Sequence, residues 1–223
     1  MEYFGNISSI EKKSINIDLV TEADKKSEDY LIKQIRSKYP NHSIVSEEFG
    51  NIDNKSEYLW IIDPLDGTTN FTHNLPIFAV SLGLVKNNKE SICGVVYNPA
   101  ADKCFYAEKN KGAYLNNQRL RVSNKSLIDE CLFSSNHEGV KFSNLNMRYT
   151  GCAALDLAYV SSGRLDGFFH NNINIWDVAA GALLVKEAGG IVNDIKKFNK
   201  NDINIKASSS AINDEMLKNL ENF

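Results

Sequence analysis

The sequence predicts a layered fold of the α+β or α/β class, and two observations lead to this prediction. Through residues 1–125, short runs rich in β-branched and aromatic residues follow one another with tight turns between them, which predicts a mostly antiparallel sheet. Through residues 126–223, short apolar runs alternate with segments of helical periodicity, which predicts strands and helices packed in layers. We therefore predict two halves, 1–125 and 126–223, with a functional site between them.

The first half begins with a helix and a short strand. Thr21 and Asp24 have the spacing of a capping box, and apolar residues recur at helical spacing after them. The helix is expected to end at Tyr39-Pro40, because proline disfavours the helical conformation in the residue before it. We expect residues 43–46 to form a short strand that leads directly into Glu47.

The central apolar run of the sequence covers residues 59–62 and ends in two acids, Asp63 and Asp66, with Pro64 between them. A run this short predicts a buried strand. Strand pairing is expected to stop at Pro64, which has no N–H to donate, so both acids are placed on a turn at the strand's end. Because Asp, Pro and Gly all favour turns, a turn without any chemical role remains open as an alternative.

Gly67, Thr68 and Thr69 follow these acids. Such a sequence is suited to exposing backbone N–H groups at a helix start, where an anion the size of phosphate can bind. Carboxylates and phosphate repel each other, so a cation is expected to bridge them. Hard oxygen ligands that leave room for water and phosphate oxygens suit Mg²⁺. The string therefore predicts a site for Mg²⁺ and a phosphate group.

The remaining predicted elements follow the same two patterns. In the first half, strands are predicted at 78–85 and 91–97, joined as a hairpin, and at 104–107 and 113–115, before a tight turn at Asn116-Asn117. In the second half, strands are predicted at 131–134, 165–169, 191–193 and 205–208, and helices at 153–161, 177–188 and 214–220. Asp177 opens the second of these helices, and a role as its N-cap alone remains an alternative.

The composition argues against several classes of function. A formal net charge of −3 gives no reason to expect a nucleic-acid partner. No apolar stretch approaches the roughly 20 residues that span a bilayer, and the N-terminus lacks the basic and apolar regions of a secretory signal. The cysteines are widely spaced, so we expect them to be reduced residues of the core: Cys93, Cys104, Cys131 and Cys152. A cytoplasmic protein with no membrane partner is expected.

Taken together, the motifs resemble the inositol monophosphatase family of Mg²⁺-dependent, lithium-sensitive phosphatases. In the family's order they are D-L-V-T-E-A-D (18–24), S-E-E (46–48), L-W-I-I-D-P-L-D-G-T-T-N-F (59–71), G-C-A-A (151–154), W-D-V-A-A-G (176–181) and E-A-G-G (187–190). The resemblance runs from about Lys13 to the C-terminus. It implies an α-β-α-β-α sandwich and a homodimer that acts on a small phosphorylated substrate. Residues 1–12 leave no room for the family's long first helix, so we expect either that this helix is missing or that the chain is a shortened version.

The resemblance also implies two Mg²⁺ ions, with a third, weaker ion near Glu47. One ion is assigned to Glu47, Asp63 and the carbonyl of Leu65. The other is assigned to Asp63, Asp66 and Asp177, so that Asp63 bridges the two. All four acids end or adjoin apolar segments, where unpaired carboxylates are costly and a cation would neutralise them.

The catalytic roles implied by the resemblance centre on Thr68. Thr68 is expected to orient the attacking water. Asp24 is expected to accept the hydroxyl proton of Thr68 in a hydrogen bond, with Glu47 assisting. The N–H groups of Gly67 and Thr68 are expected to hold phosphate oxygens, and Ala153 belongs to the substrate side. For Asp24, a role limited to capping its own helix remains open.

One position departs from the family pattern. Seven residues before Asp177, where the family has a glutamate that contacts substrate hydroxyls, this chain has His170. A neutral imidazole offers one donor and one acceptor, whereas a carboxylate offers two acceptor oxygens and a charge. The neighbouring asparagines either replace the missing contacts or simply form a loop. Weak selectivity for inositol phosphates, or a preference for a more anionic substrate, is therefore expected.

Two alternatives to an inositol phosphatase remain open. Related phosphatases act on fructose bisphosphate, histidinol phosphate or nucleotide 3′-phosphates. The nucleotide enzymes often have a lysine–acid pair after D-G-T, so Thr69-Asn70 favours the inositol class. Some bacterial relatives act instead as non-catalytic partners of the transcription machinery. Such a partner would not need four acids together with Thr68, which favours an enzyme.

Overall fold

The computed structural model describes residues 1, 4–5, 10–12, 19–135, 145–193, 195, 198 and 202–220; Lys13 and Asp18 lie outside this set. Its helices are α1 Glu22–Lys38, α2 Thr68–Thr72, α3 Ala153–Ser161, α4 Ile175–Glu187 and α5 Asn213–Asn219, with a 3-10 helix at Ile128–Glu130. Its strands are β1 Ile10–Lys12, β2 Leu19–Thr21, β3 Ser43–Ser46, β4 Gly50–Ile52, β5 Tyr58–Asp66, β6 Ala79–Lys86, β7 Glu90–Asn98, β8 Lys103–Glu108, β9 Gly112–Leu115, β10 Gln118–Arg119, β11 Leu132–Ser134, β12 Asn146–Arg148, β13 Gly167–Ile173, β14 Ile191–Val192 and β15 Ile203–Ser208.

Two sheets and three groups of helices form five layers. The larger sheet has the order β10-β9-β8-β7-β6-β5-β3-β4 and the smaller has the order β12-β11-β13-β15-β14. Helix α1 packs on the outer side of the larger sheet, α3 and α4 lie between the sheets, and α5 covers the far side of the smaller sheet. This arrangement confirms the predicted α-β-α-β-α sandwich; the boundary between halves at residue 125 stays a prediction.

Most predicted elements are confirmed within one or two residues, and α3 has its predicted bounds. The turn at Asn116-Asn117 joins β9 to β10 with φ of 44° and 70°, the left-handed pair that a two-residue hairpin requires. Before Glu22, the described residues contain the antiparallel pair β1 and β2 and no helix. None of the helices in the described ranges has both the length and the apolar character for crossing a membrane.

Helix α4 lies very close to the larger sheet because small residues meet on both sides of it. A Cβ added at Gly94 would lie 2.8 Å from the carbonyl oxygen of Ala180. On the α3 side, a Cβ added at Gly181 would lie 2.5 Å from Cβ of Leu157. A larger side chain at either glycine would push the helix away. Because Asp177 is in the first turn of α4, this close packing fixes its position relative to the sheet.

Strand β5 does not end at Pro64, so that prediction is wrong. Asp63 lies opposite Ser81 and Asp66 lies opposite Ala79, which gives β5 one more residue than β6 in this interval. The extra residue forms a β-bulge. Pro64 falls inside the bulge, where the missing N–H removes no regular ladder hydrogen bond.

Candidate metal and phosphate site

A cavity of about 310 Å³ opens where β5 meets the first turns of α2, α3 and α4. Apart from Asp24, every residue predicted for the site lines it: Glu47, Asp63, Leu65, Asp66, Gly67, Thr68, Ala153, His170 and Asp177. The structure therefore brings together residues that are up to 130 positions apart, from Glu47 to Asp177.

The bulge in β5 explains why Asp63 and Asp66 share one side of the sheet. In a regular strand, residues three positions apart point to opposite faces. The single extra residue turns Asp66 to the face that Asp63 occupies. Carboxylate oxygens of Asp63, Asp66 and Asp177 lie within 4.8 Å of one another, close enough to share a cation.

Asp177 is not the N-cap of α4. The helix begins two residues earlier than predicted, at Ile175, and Asn174 is its N-cap. Asp177 is at the third helical position, where Oδ2 accepts a hydrogen bond of 3.2 Å from the N–H of Asn174. This hydrogen bond is one of the two that form a capping box. It holds the Asp177 carboxylate at the cavity wall.

A second group of acids lies beside the first. Oxygens of Asp24, Glu47 and Glu48 are within 4.8 Å of one another, and Asp24 is fully buried behind the cavity. Glu28, one turn further along α1, accepts hydrogen bonds from the backbone N–H groups of Glu48 at 3.1 Å and Phe49 at 3.0 Å. Glu28 thus holds the turn that carries Glu47.

Sequence reasoning missed Glu28 and its neighbour Ser27. Ser27 donates a hydrogen bond of 3.1 Å to the carbonyl of Pro64, which ties α1 to the bulge. Together with Asp24, these residues have the spacing i, i+3, i+4 on one face of α1. Polar residues at that spacing, among the apolar residues of a buried face, were the signal that would have identified them.

Gly67 is the N-cap of α2 and has φ +90°, the left-handed region that favours glycine. A Cβ at this position would lie 2.7 Å from the carbonyl oxygen of Ile77, so only glycine fits. Thr68 Oγ1 donates a hydrogen bond of 3.0 Å to the carbonyl of Leu65. The single hydroxyl proton of Thr68 is used there, and the expected relay from Thr68 to Asp24 stays a prediction.

Two further residues connect the first half to the second at this site. The side-chain amide of Asn70 donates to the carbonyls of Ile77 and Thr150, each at 2.8 Å. Asn70 therefore ties α2 to the loop before α3. Cys152, predicted only as a core residue, has Sγ at 3.1 Å from Asp66 Oδ2.

Burial and mutual repulsion raise the pKa values of three acids. Burial raises the pKa of Asp63 well above its usual range, and the charges of Glu47, Asp66 and Asp177 add to the effect. The pKa of Asp177 is raised by burial and then by Asp66 and Glu47. Burial raises the pKa of Asp66 to about 6, against the lowering effect of hydrogen bonds from Ala154 and Cys152.

The raised pKa values show that negative charges are unfavourable in this cluster without a compensating positive charge. A divalent cation would remove the repulsion that raises the three pKa values. The ligand atoms assigned to the ions are carboxylate oxygens and the Leu65 carbonyl oxygen, which suit Mg²⁺ better than softer metals. The residues therefore fit the predicted ion.

His170 lies half-buried on β13, in the smaller sheet, and lines the cavity. Its Nδ1 is 2.7 Å from the carbonyl oxygen of Asn171, and because a carbonyl only accepts, Nδ1 carries the proton. In the neutral ring Nε2 is then an acceptor. Asn172 and Asn174 also line the cavity, so these asparagines contribute polar groups to it.

The chain is similar to known proteins in both sequence and fold. A sequence model of the inositol monophosphatase family matches residues 1–222. A fructose-1,6-bisphosphatase/inositol-1-monophosphatase from Thermotoga maritima is 40% identical over 229 residues, covering 98% of this chain and 88% of the relative. Nus factor SuhB of Escherichia coli K12 is 40% identical over 193 residues, covering 79% of this chain and 72% of the relative.

The fold comparison agrees. The solved structure of the IMPase of Thermotoga maritima matches with a TM-score of 0.88 and 38% identity, covering 99% of this chain and 90% of that one. A SuhB structure from Bartonella henselae matches with a TM-score of 0.87 and 37% identity, covering 96% and 89%. In sequence and in fold, the chain belongs to the inositol monophosphatase family.

Proposed function

We propose that the protein is a Mg²⁺-dependent phosphatase that hydrolyses a small phosphate monoester, with inositol monophosphate as the first candidate substrate. The observation that carries this proposal is the convergence of Asp63, Asp66 and Asp177 within 4.8 Å beside Gly67 and Thr68. Ionised carboxylates at this distance repel one another, and a bound cation would remove that repulsion. The neighbouring N–H groups then offer a place for phosphate.

Two groups of residues would hold the ions. Glu47, Asp63 and the Leu65 carbonyl would hold one, and Asp63 with Asp66 and Asp177 would hold another; a third would bind more weakly near Glu47. When bound, the ions neutralise the ester's charge, activate a water and stabilise the leaving alkoxide.

The protein's own groups bind and orient the reactants. The N–H groups of Gly67 and Thr68, two residues that line the cavity, would hold phosphate oxygens. Thr68 Oγ1 positions the attacking water, with its proton redirected from Leu65 when substrate is bound. Asp24 would accept a hydrogen bond from the Thr68 hydroxyl, and Glu47 would take the proton that the attacking water loses. His170 and Ala153, which also line the cavity, would contact the alcohol part of the substrate.

The first test is phosphate release from inositol 1-phosphate with Mg²⁺ and with EDTA. Turnover is expected only with Mg²⁺, and millimolar Li⁺ is expected to inhibit it. Asp29→Asn, an exposed acid on α1, serves as a variant that should match wild type. Equal phosphate release in EDTA and Mg²⁺, from protein free of contaminating phosphatase, would contradict metal dependence.

The substrate is tested with a panel at matched concentration. We compare inositol 1-phosphate with fructose 1,6-bisphosphate, histidinol phosphate and a nucleotide 3′-phosphate. The Thermotoga maritima relative, named for both fructose bisphosphate and inositol phosphate, supports including the first two. The highest kcat/KM identifies the substrate class.

Replacing His170 by glutamate is expected to raise selectivity for inositol 1-phosphate. A carboxylate on the cavity wall adds a charge-assisted hydrogen bond to a substrate hydroxyl, worth roughly 1–3 kcal/mol or about 5- to 150-fold in kcat/KM. The control is His73→Glu, at an exposed position after α2. A wild type that already prefers inositol 1-phosphate strongly, with no gain in the variant, would refute this role for His170.

A binding role beside catalysis is a second candidate. The observation that favours it is the identity of 40–42% to proteins named Nus factor SuhB. Binding to a purified transcription complex that survives in a catalytically inactive variant would support this role. The homodimer and the cytoplasmic location also remain our proposals, based on the family resemblance and on the sequence.

A further inference from the structure

We propose that Cys152 is a positioning residue for the metal centre, acting through Asp66. The proposal rests on the proposed function, since it concerns the same acid cluster. Asp66 is the one acid of the group held by a thiol from the other half of the chain. The thiol and a backbone N–H together fix the carboxylate, and this fixes how the carboxylate can meet a cation.

The two contacts converge on a single oxygen. Asp66 Oδ2 accepts from the N–H of Ala154 at 2.6 Å and from the Cys152 thiol at 3.1 Å. A carboxylate oxygen has two lone pairs in the carboxylate plane, so these donors occupy the directions available at Oδ2. Asp66 would therefore bind a cation through Oδ1 only. Loss of the thiol would leave the Ala154 N–H as the donor at Oδ2 and would weaken the restraint on rotation about the Cβ–Cγ bond.

Cys152 is itself held firmly in place. Its backbone N–H donates to Thr150 Oγ1 at 3.2 Å, and that hydroxyl donates to Asp156 Oδ1 at 2.8 Å. The Thr150 carbonyl is in turn held by Asn70. The side chain is fully buried, and a Cβ at Gly67 would lie 3.3 Å from Cβ of Cys152. The donor is thus locked between the two halves of the site.

If Cys152 had a purely structural role, its replacement would have a different effect. Buried cysteines commonly behave as small apolar residues, and their loss then lowers stability without affecting a binding site. Cys131 provides the matched control, because it is also buried and its thiol also donates to an oxygen, the carbonyl of Leu127 at 3.3 Å. It does not line the cavity.

The experiment measures Mg²⁺ binding by calorimetry, without substrate, on the full chain. Cys152→Ala and Cys152→Val remove the hydrogen-bond donor to Asp66, whereas Cys152→Ser keeps a donor at this position. Cys131→Ala is the control. Circular dichroism and melting in EDTA establish which variants are folded, and either donor-free variant is sufficient. Loss of a group that orients a metal ligand typically lowers affinity by about 10- to 100-fold, so we expect this loss for alanine or valine.

Serine is expected to recover most of the affinity, and Cys131→Ala to leave it unchanged while lowering the melting temperature. Wild-type affinity in a folded donor-free variant would overturn the role of Cys152 and leave the proposed function intact. A wild type that binds no Mg²⁺ would overturn the proposed function, and this inference with it. The two failures are therefore distinguishable.

Discussion

Replacing Asp63 by asparagine is expected to abolish most phosphatase activity while leaving the metal-free fold as stable as wild type or more stable. Asp63 is the acid assigned to both ions, so its loss removes several kcal/mol of charge stabilisation, or about 10³-fold in kcat/KM. Burial and three neighbouring acids raise its pKa, so a neutral side chain relieves repulsion. The asparagine oxygen keeps the hydrogen bond that Oδ1 accepts from the N–H of Leu65 at 2.9 Å.

Asp166 is the matched control for this variant. It is equally buried, but its Oδ2 accepts from the N–H of Leu132 at 2.7 Å and from Lys125 at 3.3 Å, away from the cavity. Asp166→Asn should therefore lower the melting temperature and leave kcat/KM of the folded protein unchanged. Steady-state kinetics and thermal melts in EDTA measure both variants. Wild-type turnover of Asp63→Asn at saturating Mg²⁺ would refute the site assignment.

The second large effect is on stability as a function of pH. In EDTA, the protein is expected to lose stability as pH rises from about 4 through about 6, the pKa of Asp66 in the fold. Because the folded-state pKa values of Asp63, Asp66 and Asp177 are raised, the folded protein holds protons more tightly than the unfolded chain. Their stabilising effect is complete below the unfolded pKa and is lost as these carboxyls ionise.

The Asp66 shift alone, from 3.8 to about 6, corresponds to a loss on the order of 3 kcal/mol. Under the proposed function Mg²⁺ would bind the ionised carboxylates, so the rise in melting temperature that it causes should be larger at pH 7.5 than at pH 5. Melting curves in EDTA and in Mg²⁺ at the two pH values measure this. Asp66→Asn should flatten the profile in EDTA. Metal-free stability that increases from pH 5 to 7.5 would contradict the prediction.

The elements that follow from local pattern could be predicted from the sequence. Helix α3 is rich in apolar residues and is followed by Gly163, and its predicted bounds match. The start of α4 could not be predicted, because Asn174 caps the helix three residues before Asp177. Asparagine and aspartate are equally good caps, so sequence preference does not choose between them.

The features that could not be predicted depend on contacts between distant residues. The bulge in β5 is defined by the register with β6, which periodicity in one strand does not reveal. The thiol of Cys152 meets an acid 86 positions away, and Glu28 holds backbone groups 20 and 21 positions away. In each case the residue type is compatible with an ordinary core or helix, and only the tertiary arrangement gives it a role.

The bulge in β5 interrupts the regular pairing of the sheet, and the position of Asp66 in the site depends on this interruption. Between Asp63 and Asp66 the strand advances three positions while β6 advances two, from Ser81 to Ala79. Deleting Pro64 would make the two strands equal in length and restore an uninterrupted ladder. The same deletion would turn the second acid to the opposite face, towards α1. A search for more stable variants would therefore favour shortened chains that fold well and have lost the site.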